Sequence, residues 1–196
     1  MKKIILSFLM ICYTTLLFAQ APKDHLRRDF KTYIEFTQSN DFKQAMEYVV
    51  DDFFKVVPKA QMIKQFEQVF NDPGLEIKLE NPKVLKVGSL EKIDKKHYAI
   101  ITHSNLLKVR VRPKDDSETE EDLKQKAALL KASFAKQAGV QDIQYDEKKH
   151  AFKVKVVEKI CGVSDDNGAH WKFVKLDKDI LFILEQFLPK AILEQI

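Results

Sequence analysis

The sequence predicts an α+β fold: N-terminal helices packed on a curved antiparallel sheet, a cone, with an extra helix inserted between strands and a helix at the C-terminus. Three observations predict it. Apolar residues recur at spacings of three and four up to Phe70, the signature of helices with one buried face. After the turn Asn71-Asp72-Pro73-Gly74 the period falls to two, as in half-buried strands. Helical spacing then returns between Ser117 and Gly139 before alternation resumes. Runs of helices followed by runs of strands give an α+β order rather than a parallel βαβ one.

The elements follow in order. Leu26, Phe30, Tyr33, Ile34 and Thr37 form one face of a first helix, broken at Ser39-Asn40-Asp41. Phe42, Ala45, Met46, Val49, Val50, Phe53 and Phe54 predict a second helix, with Asp41 able to cap it. Pro58 opens a third, with Met62, Ile63, Phe66, Val69 and Phe70 facing inward. Leu75, Ile77 and Leu79 alternate with Glu76, Lys78 and Glu80 in a first strand, and Val84 to Leu90 is a second. Asp94-Lys95-Lys96 is a turn, and His97 to Arg112 is a long strand ending at Pro113.

Ser117-x-x-Glu120 reads as a capping box for a helix from Glu118 to Gln137, closed by Gly139. Strands resume at Val140 to Tyr145 and His150 to Gly162. Asp165-Asp166-Asn167-Gly168 is a hairpin loop, and Ala169 to Leu176 the last strand. Asp179 to Phe187 is a closing helix, interrupted at Pro189.

Composition supports a single core. Of 196 residues, 45% are hydrophobic and 14 are Phe, while 5 Gly and 6 Pro exclude a fibrous or low-complexity chain. Basic and acidic residues number 33 and 29, which excludes a disordered charged tail protein.

The first 19 residues have the order of a signal peptide: basic Lys2-Lys3, an apolar run from Ile4 to Phe18, and small residues at Ala19-Gln20-Ala21. Cleavage after Ala21 would put Pro22 next to the scissile bond, so the cut is expected after Ala19. Residues 20–196 are then one α+β domain, periplasmic or secreted, with membrane contact only through the signal. Cys12 lies within the apolar run and is removed with it, leaving Cys161 as the only mature cysteine. Without Lys2 and Lys3 the net charge falls from +4 to about +2, too little for nucleic-acid binding. Oligomeric state is not encoded in any motif.

The helices up to Phe70, the Asp72-Pro73-Gly74 turn into a strand, and the ending His170-Trp171-Lys172-Phe173-Val174 resemble the nuclear transport factor two-like superfamily, the cystatin-like or SnoaL-like cone. That resemblance covers most of the mature chain. It implies a cone with an internal cavity, on which enzymes such as ketosteroid isomerase and scytalone dehydratase, binding proteins and scaffolds are all built. The helix at 118–137 and the segment after Asp177 depart from the plan of that superfamily.

Strand parity locates a candidate site. The face of the long strand that carries Leu107, Val109 and Val111 also carries His103 and Asn105, and Glu158 shares a face with Phe152, Val154, Val156 and Ile160. These are polar residues on apolar, inward faces. A carboxylate in an apolar cavity is expected to have a raised pKa, and a neighbouring His could share its proton. His103 and Glu158 are therefore the candidate catalytic pair, and Asn105, Phe152, Trp171 and Phe173 the candidate ligand contacts. Pairing of Glu158 with a neighbouring Lys is the structural alternative.

The five His residues are scattered without metal-binding spacing, so no metal or cofactor is expected. His97, His150 and His170 adjoin turns and are expected in solvent. Lys108, Arg110, Arg112, Lys153, Lys155 and Lys159 form a basic outer sheet face, which the acids from Asp115 to Asp122 are expected to cover. The resulting expectation is a non-catalytic module binding a small hydrophobic ligand or a protein partner. The alternatives are a cone-pocket enzyme of isomerase or dehydratase type and an envelope-associated structural protein.

Overall fold

In a computed structural model, residues 21–196 are described. The expected signal peptide, its expected cleavage after Ala19 and Cys12 lie outside the described residues. Helix α1 covers residues 21–38. It is followed by α2 (Phe42–Ala45), tight 3₁₀ turns at Met46–Tyr48 and Asp51–Lys55, and α3 (Lys59–Phe70). Then come strands β1 (Leu75–Val87), β2 (Glu91–Ile93) and β3 (Lys96–Val111), helix α4 (Glu120–Lys136), and strands β4 (Val140–Asp146), β5 (Ala151–Ser164) and β6 (Lys172–Lys175). Short helices α5 (Leu181–Leu184) and α6 (Lys190–Leu193) close the chain. The fold is α+β, with α4 inserted between strands.

The six strands form one open antiparallel sheet in the order β1-β3-β5-β4, with β2 beside β3 and β6 beside β5. β4 pairs with β5 over Ala151 to Val156, and β6 over Ile160 to Val163, both on the side away from β3. A notch therefore opens along β5 at residues 157–159. It is bridged only by main-chain bonds from Val157 N to Gly139 O, 2.8 Å, and from Leu176 N to Lys159 O, 2.9 Å. Glu158 sits in that notch.

Both large helices lie on one face. α1 buries Leu26 and Phe30 against Ala99, Ile101, Ile160, Trp171 and Phe173. α4 buries Leu123, Ala127 and Phe134 against Val109, Val111, Phe152, Val154 and Val156. A Cβ at Gly162 would come within 2.6 Å of Leu26 Cδ1, so only glycine lets α1 approach β5 this closely. The opposite face, at the β6 end, is covered by Val50, Phe53, Ile183, Leu184, Leu188 and Ile192 over Tyr98, Cys161, Val163 and Val174. Burial pushes the Cys161 thiol up to about 12.

Four local expectations are corrected. The two strands expected between Leu75 and Leu90 are one strand, β1. Asn81 (φ 50°) and Pro82 are absorbed as a bulge between Glu80 and Lys83 because β3 offers a continuous partner. The second helix ends after one turn, since Val49 bridges to Phe173 and the Val50 N–H bonds Phe173 O at 3.2 Å. Tertiary pairing there overrides helical spacing. The capping box of α4 is Thr119 with Asp122, not Ser117 with Glu120. The α3 stripe is not buried: Phe66 and Val69 are exposed.

The acidic start of α4 does not cover the basic sheet face, because α4 packs on the other side. The basic face is paired by β1 instead, through Glu80 to Lys108 at 2.7 Å and Glu76 to Arg112. Glu118, just ahead of α4, meets Lys126 of that helix.

Candidate functional site

Residue 103 is fixed by β3 and residue 158 by β5, and the antiparallel register sets them directly opposite. Parity turns both toward α1. His103 is 3% exposed, with its ring edge-on to Phe30 at a centroid distance of 5.3 Å. Its Nε2 lies 3.6 Å from Glu158 Oε2, too long for a hydrogen bond. Both ring nitrogens of His103 and Oδ1 of Asn105 are buried with no protein partner. An unpartnered buried polar atom costs about 1–3 kcal/mol, so three of them on adjacent inward positions of one strand need a reason.

Glu158 is not the poised proton donor expected from an apolar setting. Burial pushes its carboxyl up, but His103 and Lys175 more than reverse this and hold it below the ordinary carboxylate value. Lys175 Nζ lies 2.7 Å from Glu158 Oε1 and 3.0 Å from Asp177 Oδ2. Burial would lower the Lys175 ammonium; the two carboxylates raise it instead. For Asp177, burial pushes up while the Asp179 N–H and Lys175 pull the carboxyl below its usual range. The group is a Glu–Lys–Asp ion triad, fixed by β6 lying antiparallel to β5 with Lys175 opposite Ile160. The structural alternative for Glu158, a lysine partner, is realised alongside its contact with His103.

His103, Asn105 and Glu158 border a cavity of about 180 Å³ between α1 and the sheet. Its walls include Tyr33, Ile34 and Thr37 from α1, Leu79 from β1, Asn105 and Leu107 from β3, and Val156 and Ile160 from β5. Burial, assisted by the Glu158 charge, pushes the Tyr33 hydroxyl up to about 12, so it is a neutral O–H. The cavity thus has apolar walls interrupted by Thr37 and Gln137, with His103, Asn105 and the anionic Glu158 on its floor.

The structure brings His103, Asn105 and Glu158 together. It does not bring Phe152, Trp171 and Phe173 to the cavity lining. Phe152 belongs to the α4 cluster, 1% exposed and stacked on Tyr145 at 4.5 Å. Trp171 and Phe173, each 1% exposed, fill the core beneath α1. Large aromatics on a parity-inward face pack first against the nearest helix, and here one helix covers each. Tyr33 and Lys175 were missed by the sequence reading. Tyr33 falls on the apolar stripe of α1 and reads as core. Lys175 shares parity with Trp171 and Phe173, the signal that could have found it.

His150 is buried rather than in solvent, and His97 is half-buried. Among the described residues no cluster of three or more His, Cys, Asp or Glu could hold a metal ion. No helix of the described residues is long and apolar enough to cross a membrane. No protein-family model matches the chain, no curated protein matches it, and no solved structure matches its fold.

Proposed function

We propose that this protein is a periplasmic or secreted, non-catalytic module that binds a small, mostly apolar ligand in the cavity between α1 and the sheet. The observation that carries the reading is the set of unpartnered buried polar atoms of His103 and Asn105 on the cavity floor. An apolar cavity of roughly 150 Å³ accommodates a benzene-sized molecule. A ligand here therefore has a compact apolar body against Ile34, Leu79, Leu107 and Val156. It carries one hydrogen-bonding group that meets Asn105 and His103. The placement agrees with the cone resemblance, in which ligands lie inside the curve of the sheet.

The ion triad favours binding over proton transfer. A carboxylate tied to an ammonium 2.7 Å away stays ionised at neutral pH and is a weak base. One observation favours the enzymatic alternative: Glu158 lies beside the His103 ring and could orient it as a base.

Phenol and toluene are of similar size and differ by a hydroxyl in place of a methyl, so together they test the hydrogen-bonding floor. Titration of each, followed by NMR of the His103 ring and the α1 amides, is expected to show saturable binding with phenol preferred. In Asn105→Leu the preference disappears. If neither compound perturbs His103, Asn105 or Ile34, the binding reading is lost. Export is checked by intact mass, with Gln20 expected as the first residue.

A further inference from the structure

A second cavity, of about 450 Å³, lies between α4 and the turn joining β4 to β5. Lys124, Ala127, Ala128 and Lys131 recur along α4 at i, i+3, i+4 and i+7, so the two alanines form an apolar floor between two lysines. Across from them stand Tyr145 and His150, with Glu147 at the rim.

Three side chains there form one hydrogen-bonded chain. His150 Nε2 lies 2.9 Å from Glu120 Oε1, and Nδ1 lies 3.1 Å from the Tyr145 hydroxyl. His150 is 8% exposed and holds a left-handed backbone, φ 46°, which a histidine adopts at a cost. The geometry fixes the proton positions. A carboxylate only accepts, so Nε2 carries a hydrogen. In the neutral ring Nδ1 is then bare, and the Tyr145 O–H donates to it. Burial, with Glu147, Glu120 and Asp146 nearby, raises the Tyr145 hydroxyl above its ordinary value, so the phenol remains an O–H.

Protonation of His150 reverses the second bond. Nδ1 becomes a donor, the Tyr145 oxygen accepts, and the phenolic hydrogen is free to point into the cavity. Glu120 stabilises the resulting imidazolium. Lys124 and Lys131 outnumber Glu147 among the charged groups at the wall. The other charged groups beside His150, Asp146 and Lys149 of the same turn, meet each other at 3.7 Å and offset. From β3, Val111 presents only its N–H, bonded to His150 O at 2.9 Å.

We propose that this cavity is a second binding site, for an organic carboxylate with an apolar body, held by the Tyr145 O–H and the two lysines and bound together with one proton taken up by His150. Tyr145 and the lysines touch the ligand. His150 and Glu120 are positioning residues, and the only bond that changes is the N–H formed at His150 Nδ1 by the proton taken from solvent.

The test is calorimetric titration of the full mature protein with benzoate, octanoate and the neutral isostere benzamide, in two buffers of different ionisation heat. Benzoate or octanoate is expected to bind with proton uptake, and therefore to weaken as pH rises. Benzamide should bind at least about tenfold more weakly, the loss expected for a charge-assisted hydrogen bond. Tyr145→Phe, which keeps the stack on Phe152, should weaken the carboxylate about tenfold. His150→Asn tolerates the left-handed backbone and should abolish the proton uptake. Asn105→Leu, in the other cavity, should change nothing here. The proposal is overturned by no saturable binding of either carboxylate, by equal affinity for benzamide, or by heats independent of buffer. Loss of carboxylate binding in Asn105→Leu would place the anion in the first cavity and overturn it equally. If Tyr145→Phe lowers the urea midpoint, Lys131→Gln replaces it as the deciding variant, with the same weakening expected.

Discussion

The Asp29 carboxylate, 6% exposed on α1, accepts a hydrogen bond from the main-chain N–H of Trp171 at 2.9 Å. Arg28 Nε donates to the other oxygen at 2.9 Å. The indole Nε1 of Trp171 donates to Gly168 O at 3.1 Å, and His25 reaches the same carbonyl oxygen. The N-terminal helix is thus pinned to the β5–β6 loop by polar bonds as well as by its apolar face. Replacing Asp29 with Ala leaves the Trp171 N–H buried without a partner, and should cost about 1–3 kcal/mol in urea unfolding. Trp171→Ala, which empties the core beneath the helix, should cost roughly 3–5 kcal/mol. Wild-type stability in the second variant would contradict the packing of α1.

Gly162→Ala tests the same contact from the sheet side. The added methyl meets Leu26 and the Trp171 ring in a packed core. A loss of about 1–3 kcal/mol is expected, measured by chemical denaturation.

The cavity predicts an inverse relation between stability and binding at Asn105. Replacing Asn105 by Leu removes an unsatisfied buried oxygen, so thermal unfolding should move up or stay level while ligand preference is lost. A clear loss of stability would mean that Asn105 has a structural partner in solution.

Glu158→Gln should behave in the opposite way. It leaves Lys175 with Asp177 alone and removes the charge beside His103, for a loss of roughly 1–3 kcal/mol. Ligand affinity should persist, because Asn105 and the apolar walls remain.

Acid should unfold the protein through the same group. Glu158, Asp177 and Asp166 all have carboxyls held below their ordinary values, Asp166 against burial by the His170 N–H and ring and by Ser164. A carboxyl depressed in the folded state contributes stability that is present above its unfolded pKa, near 4, and lost as pH falls through the folded value. Urea midpoints should therefore be level near neutrality and decline below about pH 4. In Glu158→Gln the decline should be shallower.

Much of this architecture was legible because strand parity is local. Leu107, Val109 and Val111 fix the inward face of β3, and that alone places His103 and Asn105. The opposition of His103 and Glu158 depended on the register of β3 with β5, strands separated in the chain by α4 and β4, so no turn fixes it locally. Two contacts were not read. Lys175 meets Glu158 because the β5–β6 hairpin sets it opposite Ile160, and its parity with Trp171 and Phe173 put that contact within reach. His150 looked like a solvated turn residue, yet α4 returns over it and delivers Glu120. The bulge at Asn81-Pro82 falls between the two strands expected there: proline has no ladder donor, and β1 is an edge strand with a side that needs none.

Cys161 gives the molecule a built-in clock. It is the only cysteine among the described residues, fully buried, and its thiol stays protonated at neutral pH. The thiolate is the reactive form, so a disulfide reagent cannot modify it in the closed fold. Colour released by such a reagent therefore counts opening events at the centre of the sheet. The same readout ranks every variant above by how often that centre becomes accessible, without denaturant.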